Sequence, residues 1–157
     1  MRGMISHPHR EPLTLDNRDP VERIDSALEA AECAEEELEA AEDLLRDALG
    51  AGQIGLAGAG ILVDRLGRGR MDAACAHVAE ARYWVAELER DIGPIGSELS
   101  SVEVERLMQA NHVLVDLLVV DPQRASRIAD ALDSIRIEMR ELAALQTMLF
   151  AERKRRP

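Results

Sequence analysis

A chain of 157 residues is long enough for one domain with a substantial core. Its net charge of −11 and 31% charged residues argue against a free surface that tracks a nucleic-acid backbone, and one each of Phe, Trp and Tyr leave the core to Leu, Ala, Val and Ile. That composition favours packed helices over sheets, and no run of about eighteen apolar residues or N-terminal signal core marks a membrane or export segment.

We therefore expect a cytoplasmic, all-α protein without a membrane segment. Arg outnumbers Lys eighteen to one, a bias of GC-rich bacterial genomes that carries no functional message.

Residues 1–18, MRGMISHPHREPLTLDNR, show no hydrophobic period and read as a flexible N-terminal arm. His7 and His9 lack further ligands at metal-binding spacing. A first helix should open at Asp19, with Asp19 as N-cap, Pro20 as first helical residue and Glu22 completing a capping-box-like start. Its apolar positions run Val21, Ile24, Leu28, Ala31, Ala34, Leu38, Ala41, Leu45 and Leu49, with Gly50 the expected stop. The rest of this helix is dense in acids. Glu35, Glu36, Glu39 and Asp43 are the candidate contact residues for a basic protein partner. The several E-x-x-E pairs are not joined by E-x-x-H, so a carboxylate-bridged metal pair is not expected.

The segment from Gly50 to Arg70 contains Gly50, Gly52 and Gly55 at G-x-G-x-x-G spacing. That turn binds dinucleotides only when it follows a β-strand, and here it follows a helical pattern, so no nucleotide cofactor is expected. We expect a short, weakly stable Gly-rich helix at about 53–66. From Met71 the helical period resumes through Cys75, Val78, Ala81, Val85, Leu88 and Ile92, with Gly93 and Pro94 ending it. Tyr83 and Trp84 diverge by about 100° on a helix, so one must face away from the stripe. Cys33 and Cys75 lack metal spacing and read as reduced, buried thiols.

Ser100 and Glu103 form a capping box for a helix over about 101–120, in which Asn111 and His112 interrupt the apolar face and suggest a buried polar contact that sets register. Asp121 and Pro122 repeat the Asp-Pro start and launch a long C-terminal helix. Its seam is Ala125, Ile128, Leu132, Ile135, Met139, Leu142 and Leu149, with Gln146 the polar member. Ile137, Leu145, Met148 and Phe150 lie off that seam as a second stripe. The tip at 154–157, with Arg153 before it, is basic and complements the helix dipole.

The expected architecture is a mostly antiparallel bundle of four principal helices, plus the short Gly-rich one, over 19–153. No catalytic residue and no metal site is expected, because no G-x-S-x-G, Walker A or Cys–His arrangement occurs. The functional expectation is a protein-binding or regulatory helical protein that forms a homodimer, with Trp84, Ile137, Met148 and Phe150 as candidate interface. The alternative is a small-molecule binder or enzyme whose pocket lies near the Gly-rich segment, His77 and His112.

Overall fold

The computed structural model describes residues 18–56, 60–93, 101–120 and 125–156, with side chains at 18–50, 69–93, 102–118 and 127–156. Four helices and no strand occur among them: α1 (Pro20–Leu56), α2 (Gly60–Ile92), α3 (Ser101–Val120) and α4 (Ala125–Arg155). The arm at 1–17, the Ser100 cap and the Asp121–Pro122 start lie outside the described residues.

The start of α1 follows from its first two residues. Asp19 Oδ1 accepts from the Val21 amide at 3.3 Å, and the Asp19 carbonyl accepts the first helical bond from the Arg23 amide at 3.0 Å. Pro20 begins the helix where a missing N–H leaves nothing unpaired. The expected stop at Gly50 is not there: α1 continues through it to Leu56. Likewise no separate helix spans 53–66, since α2 begins at Gly60 and runs unbroken through Gly67 and Gly69. A glycine costs a helix about 1 kcal/mol but neither clashes nor removes a donor, so it weakens a long helix without ending it.

The buried positions repeat in steps of three and four. On α1 the seam is Ile24, Ala27, Ala31, Ala34, Leu38, Ala41, Leu45 and Ala48, with Arg23, Leu28 and Ala30 buried beside it; on α2 it is Met71, Ala74, Val78, Ala81, Val85, Leu88 and Ile92, with Asp91 buried beside it. A mean step of 3.5 keeps each seam facing its partner over the whole helix, the pattern of left-handed, near-parallel helix packing. Alanines make up much of the facing surfaces of α1 and α2, which share the most extensive contact of the helix pairs among the described residues.

Opposite ends of the helices meet. Along α1 and α2, Ser26 reaches Asp91, Glu37 reaches His77 and the Asp47 carbonyl reaches Arg70. Along α1 and α4, Asp25 meets Arg153, Glu35 meets Gln146 and Glu42 meets Arg136. Residue numbers rise on one helix as they fall on the other, so α1 is antiparallel to both neighbours. The remaining close approaches are α3 to α4 and, more lightly, α3 to α2.

At the α1–α2 end a buried polar knot replaces apolar packing. Asp91, 5% exposed, accepts from Arg18 at 2.5 Å and from Ser26 Oγ at 2.8 Å. The Arg23 guanidinium donates to the Arg18 carbonyl at 3.2 Å, which ties the entering chain to the helix it precedes.

The α4 seam also differs from the expected one. Leu145, assigned to a second stripe, is fully buried, whereas Met139 and Gln146 are half-buried at the edge. The buried positions run Ile128, Ala131, Leu132, Ile135, Glu138, Leu142, Leu145, Leu149 and Glu152, again at 3.5-residue steps. Two glutamates therefore occupy seam positions.

Candidate functional site

The outer face of α1 is a line of carboxylates. Glu29, Glu32, Glu36, Glu39 and Asp43 are all exposed and recur in the same three-four steps as the buried seam behind them. Because both patterns share one period, the acidic line does not drift round the helix; it extends about 20 Å along one side. None of these five has an ion-pair partner among the described residues. Other α1 acids are engaged: Asp25 by Arg153 at 2.8 Å, Glu37 by His77 at 2.5 Å, and Glu42 by Arg46 and Arg136.

Of the four acids singled out in the sequence, Glu36, Glu39 and Asp43 lie on this line. Glu35 does not. It is half-buried and turned toward α4, where it accepts a long 3.5 Å bond from Gln146.

A second polar feature is enclosed between α3 and α4. Glu138 is fully buried, and Asn111, 3% exposed, donates to its Oε1 at 2.7 Å, while Oε2 has no hydrogen-bond partner. Burial pushes the Glu138 carboxyl up to about 7, against the opposing effect of the Asn111 bond. The expectation of a buried polar contact on α3 is met by Asn111. His112, its neighbour, points outward and pairs with Asp116 at 3.3 Å. Glu138 was missed because its charge masked a signal that was present: it stands three residues after Ile135 and four before Leu142, on the seam itself.

Beside this pair, on the outer side, lies a cleft of about 340 Å³ lined by Arg106, Gln109, Ala110 and Val113 of α3 and Ser134, Ile137 and Glu141 of α4. Val113 and Ile137 are both 46% exposed and give it an apolar edge.

The expected pocket around His77 and His112 is not formed by these two residues. His77 is bound to Glu37 on α1, and His112 to Asp116 on its own helix. The side chains of the Gly-rich segment at 51–68 lie outside the described residues. Nor do the four expected interface residues share a surface. Trp84 and Met148 pack against the core, and Tyr83, 53% exposed, meets Trp84 edge-on at 5.1 Å. Ile137 and Phe150 are exposed, but thirteen residues on one helix place them about 140° apart and roughly 20 Å along its axis.

Neither thiol is poised for chemistry. Cys33 and Cys75 are unbridged and half-buried; burial raises both, helped at Cys33 by Glu36, Glu29, Glu32 and Glu37 and at Cys75 by Asp72. Three of the four basic C-terminal residues are engaged within the fold, Arg153 on Asp25 and Arg155 and Arg156 on Glu152, while Lys154 is exposed. No group of three or more His, Cys, Asp or Glu side chains is arranged to hold a metal among the described residues. No helix among them is long and apolar enough to cross a membrane.

Comparison with protein-family models, with curated proteins and with solved structures finds no match.

Proposed function

We propose that this is a non-catalytic, cytoplasmic binding protein, an antiparallel four-helix bundle whose α1 outer stripe docks a basic surface of another protein. The observation that carries the reading is the contrast along one helix. Acids that face α2 or α4 have partners, whereas Glu29, Glu32, Glu36, Glu39 and Asp43 stand in line and have none among the described residues. Aligned like charges repel one another, so a complementary partner gains the relief of that repulsion as well as its own attraction. A basic helix or strand with cations at matching intervals fits this geometry. Electrostatic steering would speed its arrival.

The test is affinity capture from host lysate with the wild type and a variant carrying Glu36→Gln, Glu39→Gln and Asp43→Asn. A basic protein retained by the wild type at low salt, released by added salt and lost from the variant is the expected outcome. Equal retention on both, or retention indifferent to salt, removes the stripe as a docking surface.

The second reading is a small-molecule binder, and the α3–α4 cleft is the observation in its favour. Its mixed lining of Arg106, Gln109, Ser134 and Glu141 with Val113 and Ile137 suits a small amphipathic ligand. A compound that raises the melting temperature of the wild type but not of a Ser134→Leu variant would move the reading from the stripe to the cleft.

A further inference from the structure

Glu138 occupies a position where its ionised form has little to hold it. Ile135 and Leu142 flank it along α4, and Leu107 and Leu114 flank Asn111 along α3; all four are at most 1% exposed. One amide is the only donor to this carboxyl among the described residues. The charged groups on the surrounding helices are occupied elsewhere. On α1, Glu42 is paired with Arg46 and Arg136; on α2, His77 is paired with Glu37; on α3, His112 is paired with Asp116; on α4, Arg136 also meets Asp133, and Glu141 lines the outer cleft. Arg106 of α3 lines the outer cleft, and neither it nor the others bonds Glu138, whose one donor among the described residues is Asn111. A lone carboxylate held this way costs far more than a neutral carboxyl in the same place.

The helix opposite it is also the one least held. At 20 residues α3 is the shortest of the four, and its close approaches are to α4, with lighter contact to α2. The outer side of the α3–α4 seam is already open at this level. Ala110 and Val113, on either side of Asn111 in sequence, and Ser134, Ile137 and Glu141, around Glu138, line the same cleft. Water therefore has a short route to the carboxyl once the two helices part, and the separation begins at Val113 and Ile137, which are half-exposed beforehand.

We propose that Glu138 and Asn111 form a proton-operated latch: with Glu138 protonated α3 stays seated on α4, and on loss of the proton α3 lifts away, hydrating the carboxylate and baring the apolar faces of both helices. The seated state binds one proton more than the lifted state. The lifted state is therefore favoured as pH rises, over a window between the ordinary glutamate value of 4.5 and about 7. Within that window the lifted fraction should grow about tenfold per pH unit, roughly 300-fold in all. The latch is independent of what the α1 stripe binds.

The experiment is amide hydrogen exchange of the full-length protein from pH 4.5 to 8.5, corrected for the intrinsic pH dependence of exchange, on the wild type and on Glu138→Gln. The expected result is a loss of protection confined to α3 and the facing part of α4 as pH rises through the window, with α1 and α2 unchanged. Glu138→Gln, which cannot ionise, should show no such step. A wild-type α3 whose protection is flat, a loss shared equally by all four helices, or a step that survives in the Gln variant overturns the proposal. Should the variant fail to fold, carbon-13 labelling of the wild-type glutamate carboxyls decides instead. One resonance titrating near neutrality together with α3 protection supports the latch, and ordinary titration of every glutamate rejects it.

Discussion

Among the described carboxyls, the one whose ionisation burial pushes to higher pH is Glu138. In the unfolded chain it ionises from about 4.5, and in the fold it holds its proton to about 7. Its contribution to stability is thus fully present below the unfolded value, declines as pH rises through the window, and is constant and unfavourable above it. We predict that Glu138→Gln unfolds at a denaturant midpoint close to wild type at pH 4.5 and higher than wild type at pH 8. The difference at pH 8 should be on the order of 3 kcal/mol, the free energy of a shift of this size. A difference well below that at pH 8, together with lost α3 protection, would mean that the lifted state relieves most of the cost of the buried charge; equal midpoints with α3 protection intact would mean that the carboxylate carries no such cost. Asp91, the buried acid at the other end of the molecule, differs because its partners are in place. Arg18 supplies a guanidinium and Ser26 a hydroxyl, so both of its carboxyl oxygens have a donor.

At the scale of the element, α1 and α2 show how far a shared period overrides local preference. Gly50 and Gly69 lie within helices of 37 and 33 residues, and a Cβ added at either meets nothing within 4 Å. Neither glycine is required by a positive φ or a close approach. Gly50→Ala and Gly69→Ala should therefore each stabilise the protein by about 0.5–1 kcal/mol, through lower backbone entropy in the unfolded chain. Thermal unfolding of the single and double variants checks this, and a lowered melting temperature for either would show that the helix there bends or opens in solution. The third helix illustrates the opposite case. Its Asn111 is a polar residue at a core position of a short helix, where its bond to Glu138 fixes the register of α3 on α4 while Leu107 and Leu114 supply the apolar packing.

At the scale of the whole molecule, the acid distribution separates two roles for negative charge. Asp25, Glu37 and Glu42 join helices, while the line from Glu29 to Asp43 remains open to solvent. The homodimer expected through Trp84, Ile137, Met148 and Phe150 has a narrower basis in the fold. Leu145 belongs to the core, Trp84 and Met148 pack against it, and the exposed apolar residues Tyr83, Val113, Ile137 and Phe150 are scattered over three helices. If a dimer forms, Val113 and Ile137 across the α3–α4 cleft are the pair best placed to contribute. Small-angle scattering should then give twice the chain mass for the wild type and a concentration-dependent mass for a Val113→Asp, Ile137→Asp variant. A single-chain mass at all concentrations would leave the dimer without support.

Sequence alone was enough for the helical class, for the Asp19–Pro20 start and for most of the core of α1 and α2, because an aliphatic period near 3.5 persists whatever it packs against. It also placed Asn111 in a buried polar contact, since a lone amide on an apolar face has few other uses. It placed the end of α2 before Gly93 but misplaced the stops at Gly50, Gly67 and Gly69, where the local cost is small enough for the rest of a long helix to outweigh it. Only the tertiary structure decided which acids are paired and which stand free, that Glu35 turns inward to α4, and that Glu138 faces Asn111 across a seam. These outcomes depend on which helix lies beside which, and a carboxylate's spacing along its own helix does not reveal the partner on the next.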